Sequence, residues 1–356
     1  MKNKYIAYLH SCGLSHSELT DIFSREPSAS KFYQNLSNDS LSQYIKNTVR
    51  RTKILDKYTK LNTQNLDKTF EKLSVDIIVL PDENFPVTLK NIPHTPYILY
   101  VRGKIPKRDM FGVVGSRKIS SYGKKVISQI VPDVSKIFPI VSGGAAGCDT
   151  FAHNSAIENG NQTVVVIGTG IDMTYPVSNE KLFTQVVDNG GAIVSIFRVS
   201  EPGNPYNFPV RNEIVVGLSR GVLVVEAQVR SGSLITAGLT LDLGKDLFAV
   251  PGEITGLNSG GTNMLIKKGE AKCVTESLDI LEEYDVLIKQ SVHNQQLPLL
   301  DPVESKIYHL LSSENLDVDS LSQTLELESR QITMKLSLLE LKNIVKKDIS
   351  GKYLLV

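Results

Sequence analysis

Cysteine is scarce in this chain: Cys12, Cys148 and Cys273 are scattered over 356 residues, an odd count with no C-x-x-C pair. Nothing here supports a disulfide framework or a structural zinc site, and no metal is expected. Long apolar runs are missing too. No run of eighteen or more apolar residues exists to span a bilayer. Met1-Lys2-Asn3-Lys4-Tyr5 lacks the apolar core and small-residue cleavage site of a signal peptide, so a cytoplasmic location is expected. Charge of one sign is also lacking. A formal net charge of +1 gives no global basic field, and any nucleic-acid site must be local. Two nucleotide fingerprints are absent. There is no G-x-x-x-x-G-K-[ST], and Gly168-Thr169-Gly170 lacks the third glycine of G-x-G-x-x-G. No acidic residue ends the second strand as ribose binding requires. ATP hydrolysis of the P-loop kind and a dinucleotide cofactor are therefore not expected.

What the chain does have is ample apolar material, 41% of residues, and a length that implies several domains. From Lys4 to about Leu73 the apolar spacing is helical, broken at Ser15, Pro27 and Ser37-Asn38-Asp39-Ser40. Residues 1–75 carry 12 Lys/Arg against 7 Asp/Glu, so the positive excess sits at the front. Ile77-Ile78-Val79-Leu80-Pro81 reads as a connector, followed by a stretch to Leu99-Tyr100-Val101 whose Pro86, Pro93 and Pro96 forbid a long helix. Then β-branched runs alternate with helix-length intervals: Phe111 to Val114, Ile140-Val141, Thr163 to Ile167, Ala192 to Ile196, Val222 to Val225 and Leu247 to Val250. Strands that are apolar throughout are buried on both faces, which predicts a doubly wound, mainly parallel α/β sheet. Polar residues 289–301 read as a linker. Pro302 to Val356 shows three helical patterns, then Val345 to Ile349, a Ser350-Gly351 turn and Tyr353 to Val356, which predicts a winged helix.

Glycine and serine cluster where the predicted strands end. Gly115-Ser116-Arg117 leads into a helix with Lys124 and Lys125 near its start, an arrangement suited to an anion through free N–H groups and a guanidinium. An ordinary strand-to-helix turn with an exposed arginine fits as well. Ser142-Gly143-Gly144-Ala145-Ala146-Gly147 offers a surface almost without side chains, open to a sugar-phosphate backbone. Asp149 and His153 follow one turn apart, as an acid/base pair or as braces of the helix start. Tyr175 could stack on a base, and Asn179 could cap a helix. Tyr206 and Phe208 precede Arg211 and Asn212, the equipment for holding unstacked bases; otherwise Phe208 is core and Arg211 pairs with Glu213 or Glu226. Arg230 with Ser231, Gly232 and Ser233 opens a further helix.

In order, G-S-R-x-x-S-x-Y-G (115–123), S-G-G-A-x-G-x-D-x-x-A-H (142–153), Y-P-x-x-N (175–179), F-P-x-R-N (208–212) and R-S-G-S-L-I-T-A (230–237) with F-A-V-P-G (248–252) resemble the DNA-processing protein A family, DprA/Smf. The resemblance covers about residues 76–285. It implies an extended Rossmann-like domain (76–288) that binds single-stranded DNA without catalysis, pairs into a homodimer and helps load the RecA recombinase in transformation or recombination. It also implies a small all-α, SAM/HhH-like N-terminal domain (1–75) and a C-terminal winged-helix domain (302–356). Carried over by motif, the DNA-holding residues are Gly115, Ser116, Arg117, Gly143, Gly144, Tyr175, Asn179, Phe208, Arg211, Asn212, Arg230, Ser231, Gly232 and Ser233. The chain departs from the pattern at Glu213, where the family has a basic residue, at Pro205-Tyr206-Asn207, which lacks a lysine, and at Cys148. Fewer cations imply weaker phosphate attraction.

Two other functions fit parts of the sequence. A phosphoribohydrolase could use Glu226 as general base, although its P-G-G-x-G-T-x-x-E signature is absent. A ligand-sensing regulator could read duplex DNA with Arg330, Lys335 and Lys342. Residues 291–356, however, hold 7 Lys/Arg against 9 Asp/Glu, which favours protein contact.

Overall fold

The computed structural model describes residues 3–285, 301–313, 315–342, 344–348 and 351–355. The chain forms two compact units that divide after residue 286. The expected linker lies outside the described residues except for Asp301, as does Ser350 of the expected turn.

The first unit is built on a nine-stranded sheet. Its strands are β1 (Val75–Val79), β2 (Ile98–Gly103), β3 (Met110–Val114), β4 (Ile140–Ser142), β5 (Thr163–Val166), β6 (Ala192–Ser195), β7 (Ser219–Val224), β8 (Asp246–Ala249) and β9 (Lys272–Cys273). They lie in the order β1-β2-β6-β5-β4-β3-β7-β8-β9. From β6 to β9 every neighbouring pair is parallel. The expected mainly parallel sheet is present, with an addition. Ile77-Ile78-Val79 and Leu99-Tyr100-Val101 are strands rather than connector, antiparallel to each other and to β6. Pro86, Pro93 and Pro96 all fall in the crossing between β1 and β2, so none of them removes a ladder donor.

Alternation along each strand feeds two cores. Val164, Val166, Val194, Leu99 and Ile78 face one side, and Val165, Ile193, Tyr100, Ile77 and Val79 the other. Six N-terminal helices, α1 (Lys4–Ser11), α2 (His16–Phe23), α3 (Ala29–Gln34), α4 (Asn38–Ser42), α5 (Thr48–Lys60) and α6 (Thr63–Lys72), share the second core with β1, β2, β5 and β6. Buried side chains lock this contact. His16 accepts from the Tyr97 N–H at Nδ1 (3.2 Å) and donates from Nε2 to Ile196 O (3.0 Å). His10 stacks on Tyr100 with its Nδ1 3.0 Å from the phenol oxygen, and Arg198 donates from Nε to His10 O (2.7 Å).

Six further helices complete the unit: α7 (Ser121–Ile137), α8 (Cys148–Glu158), α9 (Glu180–Asp188), α10 (Asn207–Leu218), α11 (Gly232–Asp242) and α12 (Gly260–Lys267), with a short α13 (Leu278–Leu281) near its end. The carboxyl end of α10 leaves carbonyls that Lys245 satisfies, donating to Val216 O (2.7 Å), Gly217 O (2.9 Å) and Ser219 O (2.5 Å). Lys245→Met is expected to leave them unpaired at a cost of about 2 kcal/mol, read as a lowered urea midpoint. An unchanged midpoint would show that water replaces the ammonium without loss.

In the second unit α14 (Pro302–Ser313), α15 (Val318–Leu325) and α16 (Ser329–Leu341) precede a hairpin of β10 (Val345–Lys347) and β11 (Tyr353–Leu355). They close over Ile307, Leu311, Leu321, Ile332, Leu336, Leu339, Val345 and Tyr353. No helix among the described residues is long and apolar enough to cross a membrane.

Candidate nucleic-acid interface

The order of strands reverses direction between β3 and β7, since β4, β5 and β6 build outward on one side and β7, β8 and β9 on the other. In open α/β sheets the crevice beyond the carboxyl ends of the strands at such a switch point is where ligands bind. A pocket of about 700 Å³ lies there, lined from β3 by Gly115, Ser116, Arg117 and Lys118. Gly143 and Ala145 line it beyond β4, Tyr175 beyond β5, Phe208, Arg211 and Asn212 from α10, and Ser231, Gly232 and Ser233 from the start of α11. Eleven of the fourteen residues named from the sequence meet in this one cavity.

At its centre is Phe208. Arg117 places its guanidinium carbon 5.2 Å from the Phe208 ring centroid, Arg211 lies 5.9 Å from it, and the Tyr175 ring 5.8 Å away at 38°. Two cations on an aromatic face form a surface that accepts a flat base and an anion together. The two arginines differ in kind. Arg117 is exposed. Arg211 is 5% exposed, and its Nη1 donates to Gly143 O and to Val166 O (2.8 Å) while Nε donates to Asn212 Oδ1 (3.0 Å). Burial pushes its guanidinium down to about 10, and Asp149 opposes the shift. The charge therefore persists at neutral pH, spent largely on the carbonyl ends of β4 and β5. Neither Glu213 nor Glu226 is its partner.

Those two glutamates go elsewhere. Glu213 accepts from the His94 N–H (3.1 Å) and pairs with His94 Nδ1 (3.0 Å), outside the pocket lining. The departure from the family pattern at this position thus places no negative charge on the pocket wall. Glu226 accepts from Ser120 N–H (3.0 Å) and from the Ser120 hydroxyl. Ser120 Oγ in turn accepts from Gly123 N–H (3.1 Å) as cap of α7. A carboxylate occupied in holding the Arg117 loop to a helix start is a poor general base.

The glycines of the second loop are filled by protein rather than left bare. A Cβ on Gly143 would fall on the Arg211 guanidinium, and one on Gly144, at φ +66°, would strike Val165 (2.6 Å) and Phe183. Gly147, at φ +84°, lets the backbone of Ser116 and Arg117 lie against it, where Cys148 N–H donates to Ser116 O (3.0 Å). Packing therefore leaves no room for a side chain at Gly144 or Gly147. Asn179 is buried and donates to Gly144 O (3.0 Å) and Thr150 Oγ1 (2.8 Å), with no side-chain cap of α9. Arg230 is exposed outside the lining. Asp149 accepts from Ala145 N–H (3.2 Å), and His153 reaches Thr163 Oγ1 (2.7 Å), both buried. This pair braces the loop, and no group of three metal-ligating side chains occurs among the described residues.

Gly203, Gln228, Ile235 and Thr236 also line the pocket. Gly203 lies in an aperiodic Pro-Gly-Asn-Pro loop and Gln228 carries no charge or motif, whereas Ile235 and Thr236 stand inside the R-S-G-S-L-I-T-A string, whose signal could have found them.

A family model described as DNA recombination-mediator protein A matches residues 76–285. DNA processing protein DprA of Streptococcus pneumoniae is 38% identical over 233 residues, 65% of this chain and 81% of that one. Protein Smf of Escherichia coli is 39% identical over 209 residues, 58% of this chain and 56% of that one. The solved structure of DprA from S. pneumoniae matches with a TM-score of 0.68 at 33% identity, covering 80% of this chain and 98% of that one. DNA processing protein A from Helicobacter pylori, solved for its single-stranded DNA binding mode, gives 0.53 at 27% identity and covers 59% and 95%.

Proposed function

The chain belongs to the DNA recombination-mediator protein A family, and from that membership we propose that it binds single-stranded DNA in the switch-point pocket and passes it, uncatalysed, to a RecA recombinase. Its setting is the cytoplasm, in natural transformation or in general recombination, and it acts as a homodimer paired through the sheet domain. The division into a helical domain (1–75), a Rossmann-like domain (76–288), a linker (289–301) and a winged helix (302–356) is part of the same proposal. One observation carries it: Arg117, Arg211 and Tyr175 gathered around Phe208 at the carboxyl edge of the sheet. The single-strand binding mode for which the H. pylori relative was solved supports it. The reading assigns the winged helix to protein contact. Lys335 on α16 is paired with Asp301, and Lys342 just past its end with Glu304 (2.9 Å), which withdraws two of the three cations a duplex reader would use.

Fluorescence anisotropy of labelled oligothymidine and of a matched duplex, at two salt concentrations, tests this. Arg117→Ala is expected to weaken single-strand binding about tenfold and to flatten the log–log salt slope by about 0.7. Duplex preference, or affinity indifferent to Arg117, would remove the pocket from the DNA path.

A further inference from the structure

The positive excess of residues 1–75 is gathered on one helix. At 3.6 residues per turn, Arg50, Lys53, Lys57 and Lys60 of α5 fall along one side, while Ile54 turns into the core. Two of the four are committed: Arg50 holds Glu18, and Lys60 holds Asp56 (2.6 Å). Lys53 and Lys57 are exposed and make no ion pair among the described residues. Beside them the chain brings in a further cation. Arg50 donates to Gly13 O (3.1 Å), Arg198 donates to the same oxygen (3.2 Å) and to Leu14 O (3.3 Å), and a Cβ on Gly13 would lie 3.7 Å from Lys57 Nζ. Three basic side chains thus converge on Gly13.

Arg198 connects this cluster to the pocket. It stands in the segment between β6 and α10, shortly before Gly203 and Pro205, which line the cavity. Glu201 bridges Arg198 (3.3 Å) and the Asn207 amide (3.3 Å) at the first residue of α10, next to Phe208. A pocket of about 700 Å³ encloses only a short piece of a strand, so a longer strand must leave it. The rim on the β7–β8 side exposes apolar Val229, Ile254 and Leu257, around the loop in which Asn258 donates to Lys118 O (3.0 Å). Exposed Arg230 and Lys118 add cations on that side. On the Gly203 side the chain runs through Arg198, whose guanidinium is engaged by Glu201, His10 O, Gly13 O and Leu14 O, toward Gly13 and the lysine Lys57 of α5.

We infer that a strand held in the pocket continues past Arg198 onto α5, where Lys53 and Lys57 bind its phosphate backbone. The inference rests on the single-strand reading above and extends its site. Phosphate contacts of this kind carry no sequence information, strengthen binding only for strands long enough to reach them, and show in the salt dependence.

The test compares oligothymidines of about six and about thirty nucleotides on the full chain and on Lys53→Gln/Lys57→Gln. The expected result is unchanged affinity for the short strand, several-fold weaker binding of the long one at low salt, and a long-strand salt slope lower by about 1.4. Lys104→Gln/Lys107→Gln removes the same charge from exposed sites lining a different cavity, and should leave both strands unaffected. Long-strand binding untouched by the α5 pair, or lowered equally by the Lys104/Lys107 pair, overturns the inference; an acidic protein surface would then be the better partner for the stripe. Arg117→Ala separates the two claims. Loss of short-strand binding there with no effect of the α5 pair keeps the pocket and discards the path.

Discussion

Between about pH 6.5 and pH 4 the protein is expected to lose stability at up to about 4 kcal/mol per pH unit, because three histidines are buried in their neutral form. Burial lowers His10 well below 6.5, His16 to about 4 and His153 to about 3, with Arg198 adding to the effect at the first two and Arg211 at the third. Each folded value lies below the unfolded one, so the unfolded chain takes up protons first. Stability is complete above pH 6.5 and falls as the pH drops toward the folded values. His153 shows why protonation is resisted. Thr163 Oγ1 donates to Ile140 O (2.8 Å), so His153 Nδ1 must be the donor to that hydroxyl, and a second proton would sit on Nε2, which has no partner among the described residues. His16 and His153 together approach roughly 8 kcal/mol at the acid limit, comparable with the whole stability of a typical domain. Asp149 works the other way, since burial raises its carboxyl and it gains a proton more readily when folded, offsetting part of the loss. Urea midpoints across this range measure the slope, and His153→Gln should make it shallower. A midpoint that stays level down to pH 5 would mean that these imidazoles are protonated in place.

Those histidines also mark where sequence reading stops. The glycine loops and the helix starts after them were legible, because a strand end, a Ser120 cap and a G-S-R string are written within ten residues. The β1–β2 pair was not. Ile77 to Val79 and Leu99 to Val101 are too short to show a period, and what makes them strands is the exposed edge of β6, more than ninety residues away from Leu99. The burial of His10 and His16 depends likewise on Tyr97, Tyr100 and Ile196. At the pocket, the residue types were readable and their division of labour was not. Phe208, Arg211 and Arg117, named by motif, line one pocket. That Arg211 turns inward to the ends of β4 and β5, that Glu213 turns away to His94, and that protein packs where side chains at Gly144 and Gly147 would stand all depend on contacts far apart in sequence.

Arg211→Met is expected to lose both single-strand binding and stability, by roughly 3–5 kcal/mol. The guanidinium is the donor for two buried carbonyls, Gly143 O and Val166 O, and its charge lies beside the buried Asp149. Methionine fills much of the volume but leaves both oxygens unpaired and the carboxylate uncompensated. Lysine keeps the charge and has no rigid fork to span the ends of β4 and β5, so Arg211→Lys should recover only part of the loss. Gly143→Ala reaches the same contact from the other side, because its Cβ would fall on the guanidinium. The two changes are therefore expected to be non-additive in a double-mutant cycle, the pair costing little more than the worse single variant. Exposed Arg117 supplies the contrast: its loss should weaken binding and leave the urea midpoint unchanged. If Arg211→Met lowers affinity at full stability, the buried guanidinium is a ligand contact like Arg117 and the strand ends stand without it. If stability and binding fall together, the pocket is a structure that Arg211 assembles and Arg117 uses.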